Sequence, residues 1–532
     1  MTRRQLVVEL AAITVAAALA LGSGVGHVAI ASGYRDPIVG AGAQDEAVYA
    51  HEAIRMARGG DWTTPIFLGR LELNKPPLLM WCGAASMSVL GIDPFALRLP
   101  VVFAGALCCA LVYLWLRETR SLAAAVCAVM LLAFDPLFHA MSRKFMTDVL
   151  LLLFLTSSVM VLFRDPRLER WWSPVAFGVL TGMAIMTKSA GGLLLPAILM
   201  AWFAMARPAA RPRARGTLIA CAFAALVAAP WHIYQLLVHR DWFLAEYVGM
   251  QLLQAGFTGP ERLSHESTLW FYIHRMLAID PVLLLLALSA LPWAIAAWNK
   301  EDGRAPRLLA SWSAMACLGL AGFGSRIAYY LLPLIPALVL LSAEFSPLFR
   351  GRGAVALAAV LAMMAGVKAW SHDRVWGVDY RPGSTVRSMA ALDRYHNLRR
   401  PNELVVVNAD DEFYSAVLDL PRVRYLWVAP PVEPPPDYRR LGILMSVREF
   451  CRTGDVNYRE FAPRLQAMHF PDASSIGTTI EADSTEELAE AIACSPSRDF
   501  FLPDGYRPVT ADGATHTAGA SENGRFFLFA NR

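Results

Sequence analysis

Three carboxylates of this 532-residue chain lie at the edges of apolar segments. Asp45 and Glu46 are adjacent and follow the first apolar run, and Asp148 opens the apolar stretch DVLLLLFL. Charges in such places are costly, so they usually act as a base, bind a metal ion or pair with a cation. Two structural readings stay open: Asp45 as the N-cap of a helix near 46–58, and Asp148 as the partner of cations about one turn before it.

Four basic side chains accompany these carboxylates, namely Lys75, Arg143, Lys188 and Arg326. Lys75 precedes a Pro-Pro pair, which fixes the direction of the next helix, and Lys188 lies in the short turn MTKSAGG between two apolar segments. A single lysine at a helix end reaches for lipid headgroups, which is the simplest reading of each. Together, several cations on one face are suited to phosphate, so the set predicts a phosphate site.

The elements that position these residues are mostly membrane helices. The chain is 56% hydrophobic and only 17% charged, a balance typical of an integral membrane protein. Residues 1–370 carry the long apolar runs, whereas residues 371–532 alternate strand-like and helix-like segments, which predicts a small α/β domain. About eleven membrane spans are expected, near residues 5–24, 99–116, 121–139, 146–163, 172–187, 189–206, 216–238, 276–298, 308–325, 327–345 and 353–370.

Basic residues in the connections indicate the orientation of these spans. With the N-terminus in the cytoplasm, the connections on that side and the N-terminal pair hold sixteen Lys or Arg, as expected for cytoplasmic segments. An odd number of spans then places the C-terminal domain on the outer face, together with the carboxylates and cations named above. The apolar segment 75–91 is predicted to lie in the membrane interface as a helix between Pro76-Pro77 and Gly91.

The sequence lacks the motifs that mark several functional classes. The sequence holds no CxxC, GxGxxG, Walker, GxSxG or HExxH motif, so a soluble nucleotide has no recognisable binding loop. Most arginines border apolar spans, and no basic run is interleaved with aromatic residues, which argues against a nucleic-acid partner. Cys451 and Cys494 are the only cysteines of the C-terminal domain. Outside the cytoplasm they could form one disulfide, and two buried free thiols fit the sequence equally well.

Several motifs resemble one family of membrane enzymes. They are QDEAVYAHEAIRMARGGDWTTPIFLGRLELNKPPLLMW, FALRLP, SRKFMTD, TKSAGGLLLP, HESTLWFYIH and RIAYYLLPLIPAL. In order and spacing they resemble the bacterial lipid A aminoarabinose transferases and their relatives in the protein mannosyltransferase superfamily, over about residues 5–345. The resemblance implies a GT-C membrane fold with about eleven transmembrane helices, interfacial helices in the first outer loop and a small extracytoplasmic α/β domain.

The resemblance also implies roles for the residues named above. Asp45 matches the catalytic carboxylate of the first outer loop, and Asp148 matches the second acidic position. Glu46, next to Asp45 in the motif, is expected to be catalytic as well. The expected lipid-phosphate ligands are Lys75, Arg143, Lys188, Arg326 and Tyr329. The family usually has an acidic residue before Lys-Pro-Pro, where this chain has Asn74. A divalent metal ion held by Glu72 and His265 therefore stays an open alternative to a site without metal.

The expected activity is inverting transfer of a sugar from a polyprenyl phosphate such as undecaprenyl phosphate. Asp45 takes the proton of the acceptor, and the cations neutralise the departing phosphate. The acceptor is lipid A or another envelope lipid, glycan or protein at the periplasmic face of the bacterial inner membrane. The alternative is a flippase or transporter of the lipid-linked sugar, although the sequence shows no internal repeat and its charges gather at one face.

Overall fold

The fold is known from a computed structural model that describes part of the chain. The described residues are 2–27, 42–67, 70–254, 268–300, 303–322, 326–349, 351, 356, 359–364, 366–367, 403–407, 423–428, 444–453, 479–482, 485–494, 498–503, 517–520 and 526–530. The chain divides into two units. One comprises Met1–Val28, Gly33–Pro65 and Glu72–Val378, and the other comprises Ala29–Ser32, Ile66–Leu71 and Asp379–Arg532.

The first unit is helical in its described residues. Its α-helices are α1 (Arg3–Gly22), α2 (Gly42–Ala57), α3 (Leu78–Leu90), α4 (Pro94–Thr119), α5 (Leu122–Ala133), α6 (Pro136–Ser142), α7 (Thr147–Arg164), α8 (Ser173–Gly192), α9 (Leu194–Met205), α10 (Ala214–Val238), α11 (Arg240–Phe243), α12 (Thr268–Ile279), α13 (Pro281–Trp298), α14 (Arg304–Gly322) and α15 (Ile335–Phe345). A π-helical segment, Leu244–Gln254, follows α11, and a 3₁₀ segment, Ala328–Leu334, leads into α15.

Six stretches of the described residues, one of them α15 joined to its 3₁₀ lead-in, are long and apolar enough to cross a membrane. The number rises to eight if α5 with α6 and α8 with α9, which are bent by 66° and 87°, each count as one span. The chain is therefore a multi-span helical membrane protein. The total of eleven spans stays a prediction, because much of the span expected at 353–370 lies outside the described residues.

The segment between α1 and α4 contains two helices that are too short to be counted as membrane spans. Helix α2 begins before Asp45 and ends at Ala57, and Gly59 follows with a positive φ of 92°. Helix α3 has 13 residues, starts directly after Pro76-Pro77 and stops at Gly91, whose φ is 95°. Both glycines adopt the left-handed backbone that terminates helices. The expected short helix between the proline pair and Gly91 is thus present.

Small residues allow α8 and α10 to pack closely. A Cβ atom on Gly178 would lie 2.3 Å from the carbonyl oxygen of Ala220, and one on Gly182 would lie 2.6 Å from Val227. Glycines four residues apart fall on one face of a helix, so α8 presents a smooth strip to α10. This close contact fixes the helix that ends in the Lys188 turn.

The second unit contains a sheet of seven strands in its described residues. They are β3 (Glu403–Val407), β4 (Val423–Val428), β5 (Leu444–Ser446), β6 (Thr479–Ala482), β7 (Arg498–Pro503), β8 (Thr517–Ala520) and β9 (Phe526–Ala530). Their order is β5-β6-β4-β3-β7-β9-β8, parallel from β5 to β7 and antiparallel beyond. A two-stranded hairpin, β1 (Ile66–Phe67) with β2 (Arg70–Leu71), also belongs to this unit.

Two helices accompany the sheet, α16 (Val447–Thr453) and α17 (Thr485–Ala493). A disulfide between Cys451 and Cys494 joins α16 to the residue that follows α17, with the two Cα atoms 5.4 Å apart. Of the two alternatives for these cysteines, a disulfide or two free thiols, the structure shows the disulfide.

Candidate active site

A cavity of about 410 Å³ in the first unit has one charged end and apolar walls. The charged groups on its wall are Lys75, Asp148 and Lys188. The apolar wall is formed by side chains of α7, α8, α9, α14 and the 3₁₀ segment, among them Leu151, Leu193, Leu194, Met315, Leu318 and Pro333. Such a cavity can hold an apolar chain that ends in a charged group.

Lys188 reaches the cavity because α8 is broken at this residue. The backbone of Lys188 has φ −153° and ψ 80°, which is not helical, between helical residues on both sides. Its Nζ lies 2.7 Å from Asp148 Oδ1, and 4.7 Å and 5.5 Å from the ring centres of Tyr330 and Tyr329. The ion-pair interpretation of Asp148 is thus half right, because Asp148 does pair with a cation, but the partner is Lys188.

Asp45 lies in the first turn of α2 and is not its N-cap, because the helix begins three residues earlier at Gly42. Its side chain is half-buried and accepts a hydrogen bond from Tyr329. Burial raises the pKa of Asp45, and the charges of Lys75 and Lys188 oppose this shift only in part. A base with a raised pKa holds its proton more tightly once it has accepted it.

Lys75 is the second cation of the charged end. Its side chain is 8% exposed, and burial lowers the pKa of Lys75 to about 8 even though the carboxylates of Asp45, Asp148 and Glu72 favour the charged form. Pro76 and Pro77 follow it and cannot extend a helix backwards, so α3 starts beyond it and Lys75 stays in the connecting segment. The ammonium group is thereby held beside the carboxylates.

Glu46 occupies different surroundings from its neighbour Asp45. Its two oxygens lie 2.7 Å and 3.0 Å from Nε and Nη2 of Arg98, and it also accepts a bond of 2.9 Å from the backbone N–H of Phe145. Lys144 Nζ is 3.6 Å away. Burial alone would raise the pKa of Glu46, but Arg98 and Lys144 outweigh it and lower the pKa to about 2. Glu46 therefore ties α2 to α4 and to the connection before α7.

The other residues expected at the site lie as follows. Arg143 is buried and donates a bond of 3.4 Å to the carbonyl oxygen of Leu21 in α1. Arg326 is half-buried directly before the 3₁₀ segment that carries Tyr329. Neither arginine lines the cavity of Lys75 and Lys188.

The expected metal ligands are only partly described. Glu72 is buried and accepts a hydrogen bond from the side chain of Asn74, the residue that replaces the usual acidic one. His265 lies outside the described residues. Among the residues that the structure does describe, no three His, Cys, Asp or Glu side chains form a group that could hold a metal ion. The use of a metal ion stays an open prediction.

Two contacts of the site were not expected from the sequence. Tyr330 provides the closer aromatic ring over Lys188. Glu246, in the π-helical segment, accepts a 2.9 Å bond from the backbone N–H of Leu73, two residues before Lys75. An acidic residue within the apolar string WFLAEYVG was the available signal, because a buried carboxylate requires a donor. Glu246 thereby anchors the segment that leads to Lys75.

Comparison with known proteins agrees with this architecture. The family model described as dolichyl-phosphate-mannose-protein mannosyltransferase matches residues 74–234. The crystal structure of ArnT from Cupriavidus metallidurans bound to undecaprenyl phosphate superimposes with a TM-score of 0.67 at 14% identity, covering 100% of this chain and 99% of that one. The chain therefore has the fold of the GT-C membrane glycosyltransferases.

Two relatives are similar to this chain in sequence. An uncharacterized protein of Aquifex aeolicus (strain VF5) is 26% identical over 317 residues, 57% of this chain and 58% of its own length. The undecaprenyl phosphate-alpha-4-amino-4-deoxy-L-arabinose arabinosyl transferase of Yersinia pestis (strain Pestoides F) is 26% identical over 317 residues, 57% of this chain and 54% of its own length. The match thus spans little more than half of each relative. The resemblance to the aminoarabinose transferases and protein mannosyltransferases is confirmed.

Proposed function

We propose that the protein is an inverting glycosyltransferase that takes a sugar from a polyprenyl phosphate, such as undecaprenyl phosphate. The observation that supports this proposal is the cavity with one charged end, where two lysines and Asp148 meet walls that are otherwise apolar. A lipid phosphate has the same division into a charged head and an apolar tail. The relatives whose names contain undecaprenyl phosphate point to the same donor class.

Asp45 acts as the base in this reaction. Its carboxylate removes the proton from a hydroxyl group of the acceptor, and the resulting oxygen attacks the anomeric carbon of the sugar. The bond between that carbon and the phosphate oxygen breaks, and its electron pair leaves with the polyprenyl phosphate. Attack opposite the leaving group inverts the anomeric configuration. The raised pKa of Asp45 suits a base that must hold the proton it receives.

Lys75 and Lys188 neutralise the phosphate as it departs. Both line the charged end of the cavity, and Lys188 is oriented by Asp148 and by the ring of Tyr330. Cations fixed in a poorly hydrated site interact with a developing charge more strongly than they do in water. Asp148 accordingly orients Lys188 rather than taking the proton, and Tyr329 orients Asp45 through its hydrogen bond.

Glu46 has a positioning role in this proposal instead of the catalytic role suggested by the motif. Its carboxylate oxygens already interact with the side chains of Arg98 and Lys144 and with the N–H of Phe145. A carboxylate whose pKa is lowered to about 2 by these partners is a weak base at neutral pH. Its contacts fix the helix that carries Asp45.

The protein acts at the outer face of the bacterial inner membrane, with the second unit in the periplasm. The distribution of basic residues between the spans supports this orientation. The disulfide of the second unit agrees with it, because such bonds persist in oxidising compartments. The acceptor at that face is lipid A or another envelope lipid, glycan or protein.

The proposal can be tested by mass spectrometry of lipid and glycan extracts from cells with and without the gene. Deletion should remove one glycosylated product, and wild-type protein should restore it. Asp45→Asn should not restore it, because loss of a general base lowers rates by about 10²–10⁴-fold. Asp93→Asn is the matched control: Asp93 caps α4 outside the cavity, accepting bonds from Phe95 and Ala96, and asparagine is an equally good cap.

The outcomes separate enzyme from transporter. Full restoration by Asp45→Asn would refute the assignment of the base. Loss of the product with the lipid-linked sugar accumulating on the inner leaflet of the deletion strain, and not on the outer leaflet, would identify a flippase instead.

A further inference from the structure

Two arginines meet at the C-terminal end of α13, outside the site of the proposed reaction. Arg207, two residues after the end of α9, donates a 2.6 Å bond from Nη2 to the carbonyl oxygen of Asn299. Arg307 in α14 donates a 2.5 Å bond from Nη2 to the carbonyl oxygen of Trp298. Because Trp298 and Asn299 are consecutive residues, the two guanidinium groups lie close together. The carbonyl groups at the end of a helix carry partial negative charge, which favours cations there.

A third arginine, Arg304, belongs to the same group. It opens α14 three residues before Arg307, so the two lie on one face of that helix. Its Nη1 donates a 3.0 Å bond to the carbonyl oxygen of Phe163, in the last turn of α7. Asp148 lies in the first turn of α7, about 22 Å from Phe163 at 1.5 Å per residue. The three arginines are therefore separate from the charged end of the cavity.

These three arginines lack the acidic partners that neighbouring arginines have. Arg164 pairs with Glu118, Arg120 with Glu344, and both Arg167 and Arg213 with Glu169. In the part of the chain that the structure describes, no carboxylate pairs with Arg207, Arg304 or Arg307. The side chains of Arg207 and Arg304 are exposed, and the bond described above uses one of the five N–H donors of each guanidinium group. Both can therefore bind an anion while they stay attached to the helix ends.

The surface next to the three arginines is apolar. Met200 and Phe203, in the last two turns of α9, are 68% and 51% exposed, and Ile295, in the last turn of α13, is 69% exposed. A group of cations at the ends of lipid-facing helices is complementary to a phosphate group that is joined to acyl chains.

We propose that Arg207, Arg304 and Arg307 bind the phosphate of an anionic phospholipid, whose acyl chains lie along α9 and α13. The lipid connects the ends of α7, α9, α13 and α14, three of which also form the apolar wall of the cavity. In the orientation given under the proposed function, this lipid belongs to the cytoplasmic leaflet. The choice of leaflet rests on that proposal, whereas the binding of the lipid does not.

Native mass spectrometry of the full chain in detergent tests the site. The probes are phosphatidylglycerol, which is anionic, phosphatidylcholine, which has a phosphate but no net charge, and inorganic phosphate. Wild-type protein should retain phosphatidylglycerol in preference to phosphatidylcholine and should not retain inorganic phosphate. Arg207→Gln and Arg304→Gln keep an amide donor for the carbonyl oxygens. Each should weaken the binding of phosphatidylglycerol about five-fold, and the double variant roughly 25-fold.

Three control variants separate this site from other effects. Arg167→Gln/Arg213→Gln removes the same number of positive charges, but both arginines already pair with Glu169, so the lipid preference should be unchanged. Lys188→Ala should also keep the preference, because Lys188 pairs with Asp148 at the other end of α7. Asp45→Asn should retain phosphatidylglycerol as wild type does, whatever its effect on sugar transfer.

The thermal unfolding midpoint gives a second measurement. Phosphatidylglycerol should raise the midpoint of wild type more than that of Arg207→Gln/Arg304→Gln, because the lipid stabilises the folded state that binds it. Phosphatidylcholine should affect both proteins equally. If the double variant does not fold, the two single variants still decide, since each should show the five-fold loss.

Several results would overturn the proposal. Equal retention of the two lipids by wild type, or an equal loss in the control Arg167→Gln/Arg213→Gln, would mean that no specific site exists. Loss of the preference in Lys188→Ala alone would place the lipid in the cavity, and retention of inorganic phosphate would indicate a site for small anions. Glu301 and Asp302 precede Arg304 in the sequence. If only Glu301→Gln/Asp302→Asn showed the preference, these acidic residues would be the partners of the arginines.

Discussion

Replacing Glu46 by glutamine should destabilise the protein, because Glu46 is the buried acceptor for Arg98 and Lys144. The pKa of Glu46 is lowered from 4.5 to about 2, and a pKa difference of one corresponds to about 1.4 kcal/mol. Its ionised form thus contributes about 3 kcal/mol to folding at neutral pH. Breaking a buried pair on one side costs about 3–5 kcal/mol, because the cation left behind stays buried.

The sign of the pH effect follows from the direction of the shift. A carboxyl group with a lowered pKa in the folded state stabilises the protein above its unfolded pKa of 4.5, and this stabilisation disappears as the pH falls towards 2. Wild-type protein in detergent should therefore lose about 3 kcal/mol across this window. Glu46→Gln should start lower by that amount and show a smaller further loss on acidification.

The assay is unfolding of the purified chain in mixed micelles, followed by tryptophan fluorescence at several pH values. Arg98→Met should destabilise the protein by a similar amount. The double variant Glu46→Leu/Arg98→Met should be more stable than the sum of the single changes, since replacing both partners removes the buried ion pair between them. The same variants separate two roles of Glu46. A catalytic residue would give Glu46→Gln with wild-type stability and no activity, and that result would refute the positioning role.

The remaining predictions concern the charged end of the cavity and the disulfide. The kcat/KM of transfer should follow a bell-shaped pH profile. Asp45 must be ionised, and burial raises its pKa, so the acid limb should lie above the ordinary value of 3.8. Lys75 must be charged, so the alkaline limb should lie near 8 and move upward in Lys75→Arg. Lys188→Ala should lower kcat/KM by about 10²–10³-fold, and adding Asp148→Ala should cost little more, because Asp148 acts by orienting Lys188. The Cys451–Cys494 disulfide joins residues 43 apart. Its removal should destabilise the second unit by about 4 kcal/mol, if the disulfide acts mainly by restricting the unfolded chain. The variant Cys451→Ser/Cys494→Ser should therefore be cut faster in limited proteolysis.

Each of these expectations has a contrary outcome. If the pH profile has no alkaline limb, or if Lys75→Arg does not shift that limb, the assignment of Lys75 to phosphate binding would be refuted. Additive losses in the Lys188 and Asp148 double variant would mean that the two residues act independently. Maleimide labelling of Cys451 and Cys494 in the unfolded chain without reductant would show that the disulfide is absent.

The local features of the site could be predicted from the sequence, because they depend on nearby residues. Pro76-Pro77 and Gly91 delimit α3, and the position of Lys75 between a loop and that helix follows from them. The string MTKSAGG indicated a turn, and α8 does lose its helical backbone at Lys188. These signals are local because proline and glycine restrict or release the backbone at their own positions.

The pairing of charges could not be predicted in the same way. Asp148 has cations about one turn before it in the sequence, yet its partner is Lys188, 40 residues away. Lys144 contacts Glu46 instead, and Arg98 meets Glu46 across 52 residues. The pattern of apolar residues fixes which faces of the helices are buried but not which helices become neighbours. The choice among several buried ions depends on that packing.

The doublet Asp45-Glu46 shows how one helix can serve two purposes. Adjacent residues on an α-helix point about 100° apart, so the two carboxylates meet different surroundings. Asp45 meets Tyr329 and the lysines, whereas Glu46 meets Arg98 and the connection before α7. The two environments push their pKa values in opposite directions, one upward and one to about 2. A carboxylate of low pKa stays ionised as an anchor at the pH where its neighbour can still accept a proton, and exchange of the two residues should therefore abolish both functions.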